Sequence, residues 1–499
     1  MQFPRPSKNA QAAAVVAAAA IALIAYYALR TPPTDDTSAF EQHSRFLQYR
    51  QQEVSAFRAD FQAAQYQACL DRLAAQPGAF IDQRVQSAQR NSLELAKSQA
   101  YPAVAPDADF LRRRVLYARL VKSLQRDDPR ETVMAVFDYV VQNVASVAGP
   151  GEKPDIGVMP ETVLARGYGV CNRSAWLFCT LLEQLRVDPE ERTHFASYIL
   201  YLRDPETGIS HHTIAGVRID GRVYLFGTYS GLPVLKQNGK IATLEEVILN
   251  PADIDSVEIG GLRQLVKGAE VAASILLVAV EPETVHEFSA AAQAALDTDA
   301  PILYRDYSAA LPGLAGTLWP GVKVPQTTAH TLENPASKNL IKLWDYPFRI
   351  GANLRLAKYR DEIDAAHTWL RELKNARLAD LAPGNAPEGD PYEGLLEKLD
   401  AGSDGREAAE YFSVRFLLKH HPSEGEAAAA KFIDDHPASL WRNPILLALG
   451  EALCAGGKFD QACEYLELVD GPRKIRAAAF IEAAGRRRLP DALTANALR

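Results

Sequence analysis

Cysteine is scarce in this chain and fits no ligand pattern. Five cysteines are spread over 499 residues, at Cys69, Cys171, Cys179, Cys454 and Cys463. An odd set leaves at least one thiol unpaired, and no CxxC spacing or His/Cys cluster points to a zinc site, so no structural metal and no cofactor are expected. Sustained positive charge is also missing. The formal net charge is -8, and the basic runs Arg112–Arg114 and Arg486–Arg488 are three residues each, short enough to lie on solvated helix faces. That excludes the basic stripe of a nucleic-acid binder. The remaining composition, 47% hydrophobic and 23% charged, is ordinary for a globular protein. The length allows roughly three domains at about 150 residues each.

One long apolar run is present. From Ala10 to Leu29 the polar side chains are Gln11, Tyr26 and Tyr27, over a length close to that needed by a helix crossing a bilayer. Arg5 and Lys8 precede it, which keeps residues 1–9 in the cytoplasm and exports the rest of the chain. A cleaved signal peptide is the alternative, although Tyr26 fits poorly three residues before a cleavage after Ala28. Either way the soluble part lies outside the cytoplasm, on the periplasmic side.

Thr31–Thr37 reads as a linker, and residues 30–126 as a helical N-terminal region without visible chemistry. The spacing predicts a helix over Arg130–Val144, started by Pro129 and capped by Asp127 or Asp128. A second helix is predicted over Asn172–Arg186. Three strands come next, at Ala196–Arg203, His211–Ile219 and Arg222–Thr228, with Asp220-Gly221 as a two-residue hairpin turn. Residues 255–335 read as a small α/β unit, with a buried strand at Ala272–Val280 and a short strand at Ile302–Tyr304. Residues 336–499 read as helical. Within them Leu449 to Tyr465 resembles a tetratricopeptide repeat, with Lys458–Asp460 at the inter-helix turn and Cys454 and Cys463 as small core residues on the two helices.

Chemistry concentrates at Cys171, where a glycine-containing turn meets a buried helix. Unpaired N–H groups at a helix start favour negative charge and could hold an oxyanion during acyl transfer. Gly167 and Gly169 clear side chains from the approach to the sulfur. Cys179, eight residues on, is read as an ordinary core thiol. A base is available downstream at His211 or His212. Successive strand residues face opposite sides, so one of the two can face the cysteine. If the hairpin turn has two residues, His212 lies opposite Tyr229, with Gly227 one diagonal step away on the same face.

The run Arg166-Gly167-Tyr168-Gly169-Val170-Cys171, its helix and then His212 before a hairpin resemble the transglutaminase-like core, a papain-related fold. The resemblance covers about residues 128–235. It implies that Cys171 is the nucleophile and His212 its general base, with a carboxylate about fifteen residues after the histidine to orient the ring. That spacing selects His212 over His211 and lands on Gly227, which carries no carboxylate. Tyr229 is the candidate substitute third member; its phenol can hydrogen-bond but supplies no charge near neutrality.

The expected architecture is therefore α+β: residues 1–9 cytoplasmic, 10–29 a transmembrane anchor, 30–126 helical, and 127–254 a transglutaminase-like core with its nucleophile helix packed on an antiparallel sheet. Residues 255–335 form the small α/β unit and 336–499 a repeat-like helical region offering protein contacts. Two functions stay open. One is an exported thiol hydrolase or acyl transferase acting on peptide or protein amides. The other is a pseudoenzyme that keeps the fold as a protein- or peptide-binding module, because Gly227 stands where the aspartate belongs. A purely structural membrane-anchored scaffold remains if the cysteine–histidine match is coincidental.

Overall fold

The computed structural model describes residues 108–146, 163–164, 167–185, 197–279, 302, 326–328, 331–333, 340–344, 372–373, 376–377, 380–381 and 389–498. The apolar run at residues 10–29, the linker after it and Cys69 lie outside these. Among the described residues no helix is long and apolar enough to cross a membrane.

Helix α1 (Ala108–Leu124) leads into α2 (Pro129–Asn143). The Asp128 carboxylate accepts the Arg130 N–H at 2.8 Å, and Pro129 takes the first turn, where its missing N–H costs nothing. Ala145, just past α2, forms a parallel bridge with Tyr168; its N–H donates to Gly167 O at 2.7 Å and its carbonyl accepts from Gly169 at 3.0 Å. That bridge delivers the chain to α3 (Cys171–Leu182), a helix buried almost all round.

Strands β1 (Ser197–Arg203), β2 (Ser210–Ile219) and β3 (Arg222–Gly227) form an antiparallel meander, extended by β4 (Leu232–Pro233). Asp220 and Gly221 turn the hairpin at φ 50° and 79°, the double left-handed geometry of a two-residue turn. Ala215, Val217 and Ile219 of β2 join Tyr224 and Phe226 of β3 in the core that also holds α1, α2 and α3. The other face is covered by α4 (Leu244–Leu249), α5 (Ala252–Asp255) and α6 (Gly268–Ala272). Thr243 and Glu246 form a reciprocal cap at the start of α4. A two-strand ribbon, β5 (Glu258–Ile259) and β6 (Leu262–Arg263), lies between these helices in sequence.

Strand β7 (Ile275–Ala279), read from sequence as part of a separate unit, pairs antiparallel with β1 and continues the same sheet. Beyond it come β10 (Leu340–Trp344), parallel to β7, then β9 (Thr331–Glu333) and β8 (Gln326–Thr328), giving eight strands in the order β4-β3-β2-β1-β7-β10-β9-β8. Ile302 is not in a strand. Its N–H donates to Gln184 Oε1 at 2.9 Å and its carbonyl accepts from Gln184 Nε2 at 3.2 Å, a side-chain imitation of a ladder.

The region expected to be helical over 336–499 opens instead with strand β10, whose apolar run Leu340–Trp344 joins the sheet beside β7. From residue 393 the described chain is helical: α7 (Glu393–Leu396), α8 (Asp404–His420), α9 (Pro422–Asp435), α10 (Arg442–Ala455), α11 (Phe459–Leu466) and α12 (Lys474–Ala484). Helices α8 and α9 pack as one pair and α10 and α11 as another. The second pair turns at Gly456–Lys458, two residues earlier than the sequence suggested, with Phe459 already helical. Cys454 and Cys463 are free thiols on these two helices.

Two corrections concern arginine. Arg114, expected on a solvated face, is 1% exposed and pairs with Glu183 at 2.7 Å. Arg473 and Arg476, unmarked by any sequence motif, are buried where the helical region meets the sheet. The described chain then returns to the first core, where Ala497 and Leu498 are buried and Ile241 donates to Ala497 O at 2.8 Å.

Candidate functional site

Cys171 opens α3 and is half-exposed. Val170 precedes it and no side chain caps the helix; the Arg173 and Ser174 N–H groups donate to Val170 O, which leaves those of Cys171 and Asn172 for an incoming acceptor. The two glycines before it do other work than expected. Gly167 has φ +72°, and a Cβ there would lie 2.3 Å from the Phe412 ring of α8, so glycine admits a helix of the C-terminal region. Tyr168 likewise meets Trp441, ring centroids 5.6 Å apart. At Gly169 a Cβ would come within 3.1 Å of Val163. Cys179 fills the core role assigned to it: buried, its thiol donating to Tyr198 O at 3.3 Å, its ionisation suppressed by burial.

His212 pairs with Leu202 across the β1–β2 ladder, and a register shift comes between Leu202 and Arg203, leaving His211 without a ladder partner. From His212 to Val217 the register is unbroken. Alternation therefore sets His212 on the face of Ile214 and Gly216, opposite the face where Ala215 and Val217 pack on α3. Gly216 shows what that second face holds: a Cβ there would meet Leu200, Val223 and Tyr198. His212 keeps some exposure, but its Nε2 is buried and has no hydrogen-bond partner among the described residues. Burial pushes the imidazole down to about 4, with no carboxylate to oppose it. Among the described residues no hydrogen bond joins it to Cys171.

The position expected to carry a carboxylate is closed. A Cβ on Gly227 would sit 2.5 Å from Ser230 Oγ and 2.8 Å from Leu232 O. Around it the chain turns tightly: Gly227 O accepts from the Gly231 N–H at 2.8 Å and from the Ser230 hydroxyl at 3.1 Å.

Tyr229 is the residue that relates the other two. Its ring centroid lies 5.9 Å from that of His212, as the hairpin register requires. Its phenol pKa is raised, chiefly by burial and then by the charge of a Cys171 thiolate, while the Arg473 guanidinium pulls the other way. Backbone geometry brings the two turns together: Tyr229 O accepts from Ser146 at 2.7 Å, and Ala145, next to Ser146, accepts from Gly169, two residues before Cys171. Among the described residues no hydrogen bond joins Cys171 to His212. Thr228 is buried, and among the described residues its Oγ1 has no hydrogen-bond partner.

Arg473 is the neighbour that sequence reasoning missed. Nε donates to Ser146 Oγ and to Tyr229 O, both at 2.9 Å. Nη1 reaches Val141 O at 2.8 Å, and Nη2 reaches Val144 O at 3.0 Å and Thr228 O at 3.2 Å. Burial and the nearby Arg476 pull it down to about 9. No local motif marks a residue whose partners are all more than two hundred positions away in sequence. The described residues contain no group of three or more His, Cys, Asp or Glu able to hold a metal ion.

Compared with known proteins, the chain matches no family model, no curated protein and no solved structure.

Proposed function

We propose that the protein is an exported, membrane-anchored transglutaminase-like protein whose cysteine site has lost the hydrolytic pairing and serves as a protein- or peptide-binding module. One observation carries this reading: among the described residues His212 is hydrogen-bonded to neither a carboxylate nor Cys171, and its Nε2 is buried without a partner. A general base must reach the proton it removes, and an imidazole without an orienting partner is held in no particular tautomer. Gly227 reinforces it, because the backbone there leaves no room for an aspartate. The helical pairs α8–α9 and α10–α11 supply the additional surface that a binding protein would use.

A thiol hydrolase or acyl transferase is the second reading. It is favoured by a half-exposed cysteine at an uncapped helix start. The sulfur would add to an amide carbonyl, the amine would leave with a proton, and water or a second amine would release the acyl group.

Alkylation of Cys171 by iodoacetamide between about pH 5 and 9 separates them, read at the Cys171 peptide by mass spectrometry. The binding-module reading expects the same rate profile in the wild-type chain and in His212→Ala. A rate below about pH 8 that collapses in His212→Ala would instead establish a working cysteine–histidine pair.

A further inference from the structure

Arg473 belongs to the helical region, yet four of its five hydrogen-bond partners lie around the candidate site or at the end of α2 as backbone carbonyls, and the fifth is Ser146 Oγ. Two of those carbonyls, Thr228 O and Tyr229 O, belong to the turn that carries the Tyr229 phenol. Ser146 closes the clamp, donating its hydroxyl to Tyr229 O at 2.7 Å while accepting from Arg473. The clamp fits because position 231 is glycine: a Cβ there would be 2.9 Å from Arg473 Cδ and 2.8 Å from Arg476 Cδ. Gly231 also has φ +78°, so a side chain is excluded by conformation as well as by space. Arg476 locks the same turn by donating to Gly231 O at 2.8 Å while paired with Glu451 and Asp138.

We infer that Arg473 is a positioning residue for the site: through its fork on the 228–229 carbonyls it sets where the Tyr229 phenol stands against Cys171, so the site is completed by the helical region. This rests on the reading that Cys171 and Tyr229 share one site. A guanidinium suits the task because its fixed fork binds several carbonyls at once, which an ammonium on a flexible stem does not reproduce.

The test is a double-mutant cycle on the full chain, reading the iodoacetamide alkylation rate at the Cys171 peptide. Tyr229→Phe is expected to change that rate by about threefold or more, the lower end of couplings between neighbouring groups. Arg473→Lys is expected to change it in the Tyr229 chain and to have no further effect in Tyr229→Phe. Equal effects of Arg473→Lys in both backgrounds would reduce Arg473 to a structural brace and overturn the inference. A Cys171 rate indifferent to Tyr229→Phe would overturn the shared-site reading and the inference with it. Should Arg473→Lys fail to fold, Ser146→Ala loosens the same clamp by one hydroxyl and runs through the same cycle with the same two outcomes.

Discussion

At Gly227 the missing side chain is enforced by its surroundings. Ser230 Oγ and the Leu232 carbonyl occupy the space a Cβ would need, and the carbonyl is backbone that cannot rotate aside. Gly227→Asp is therefore expected to destabilise the protein by about 1–3 kcal/mol, as overpacked sites do, and to leave Cys171 alkylation no faster. A lower urea midpoint with an unchanged alkylation rate is the predicted result. His212 makes a second prediction at this scale. Its folded pKa, near 4, lies below the unfolded value of about 6.5. Between those values the unfolded chain binds the extra proton, so the wild type loses stability as pH falls through that window. The full effect approaches about 3 kcal/mol at the acid end. His212→Gln removes the titration, and the stability difference between the two chains should be pH-dependent below about 6.5 and flat above it.

Among the elements, α2 shows most clearly how the sheet core and the helical region are held together. A helix leaves its last carbonyls without intrahelical donors, and cations near that end are favourable. Here Val141 O and Val144 O accept from Arg473, Gln142 O from Arg415, and Asn143 O from Arg377, all three arginines supplied by the helical region. Arg476 adds a buried ion pair with Glu451 at 2.6 Å and a second with Asp138 of α2 at 2.7 Å. Arg476→Leu leaves Glu451 buried without its partner and is expected to cost about 3–5 kcal/mol, measured by urea unfolding. The helices and the hairpin were legible in the sequence because their signals are local. Pro129 after Asp128, apolar spacing through α3, and Asp220-Gly221 each act within a few residues. The arginine clamps were not, since nothing beside Arg473 in sequence tells that its donors meet Val141. The site was legible in part. Cys171 heads its helix and Tyr229 lies beside His212 as the register required. Strand alternation, however, turns His212 away from α3, a consequence of which face carries Ala215 and Val217.

For the whole molecule, the described sheet core and the helical region share one buried seam. Phe412 lies over Gly167, Trp441 meets Tyr168, and Ala497 and Leu498 return to the core of the sheet. Regions joined through buried guanidinium–carbonyl bonds and interleaved aromatics should unfold together. Calorimetry of the full chain is expected to give a single main transition for these parts, and Arg476→Leu should lower it as a whole without splitting off a helical component. The same seam packs the cysteine turn against helices of the C-terminal region. The binding-module reading stands or falls on His212. Its most direct test is an NMR pH titration of the full chain with 15N-labelled histidine, the His212 signals identified by their loss in His212→Gln. Neutral-imidazole signals are expected down to a midpoint near 4, the value to which burial pushes the ring. A midpoint raised clearly above about 6.5, the value of free histidine, would mean an imidazolium stabilised by a partner, and would contradict the binding-module reading in favour of an assembled cysteine–histidine pair.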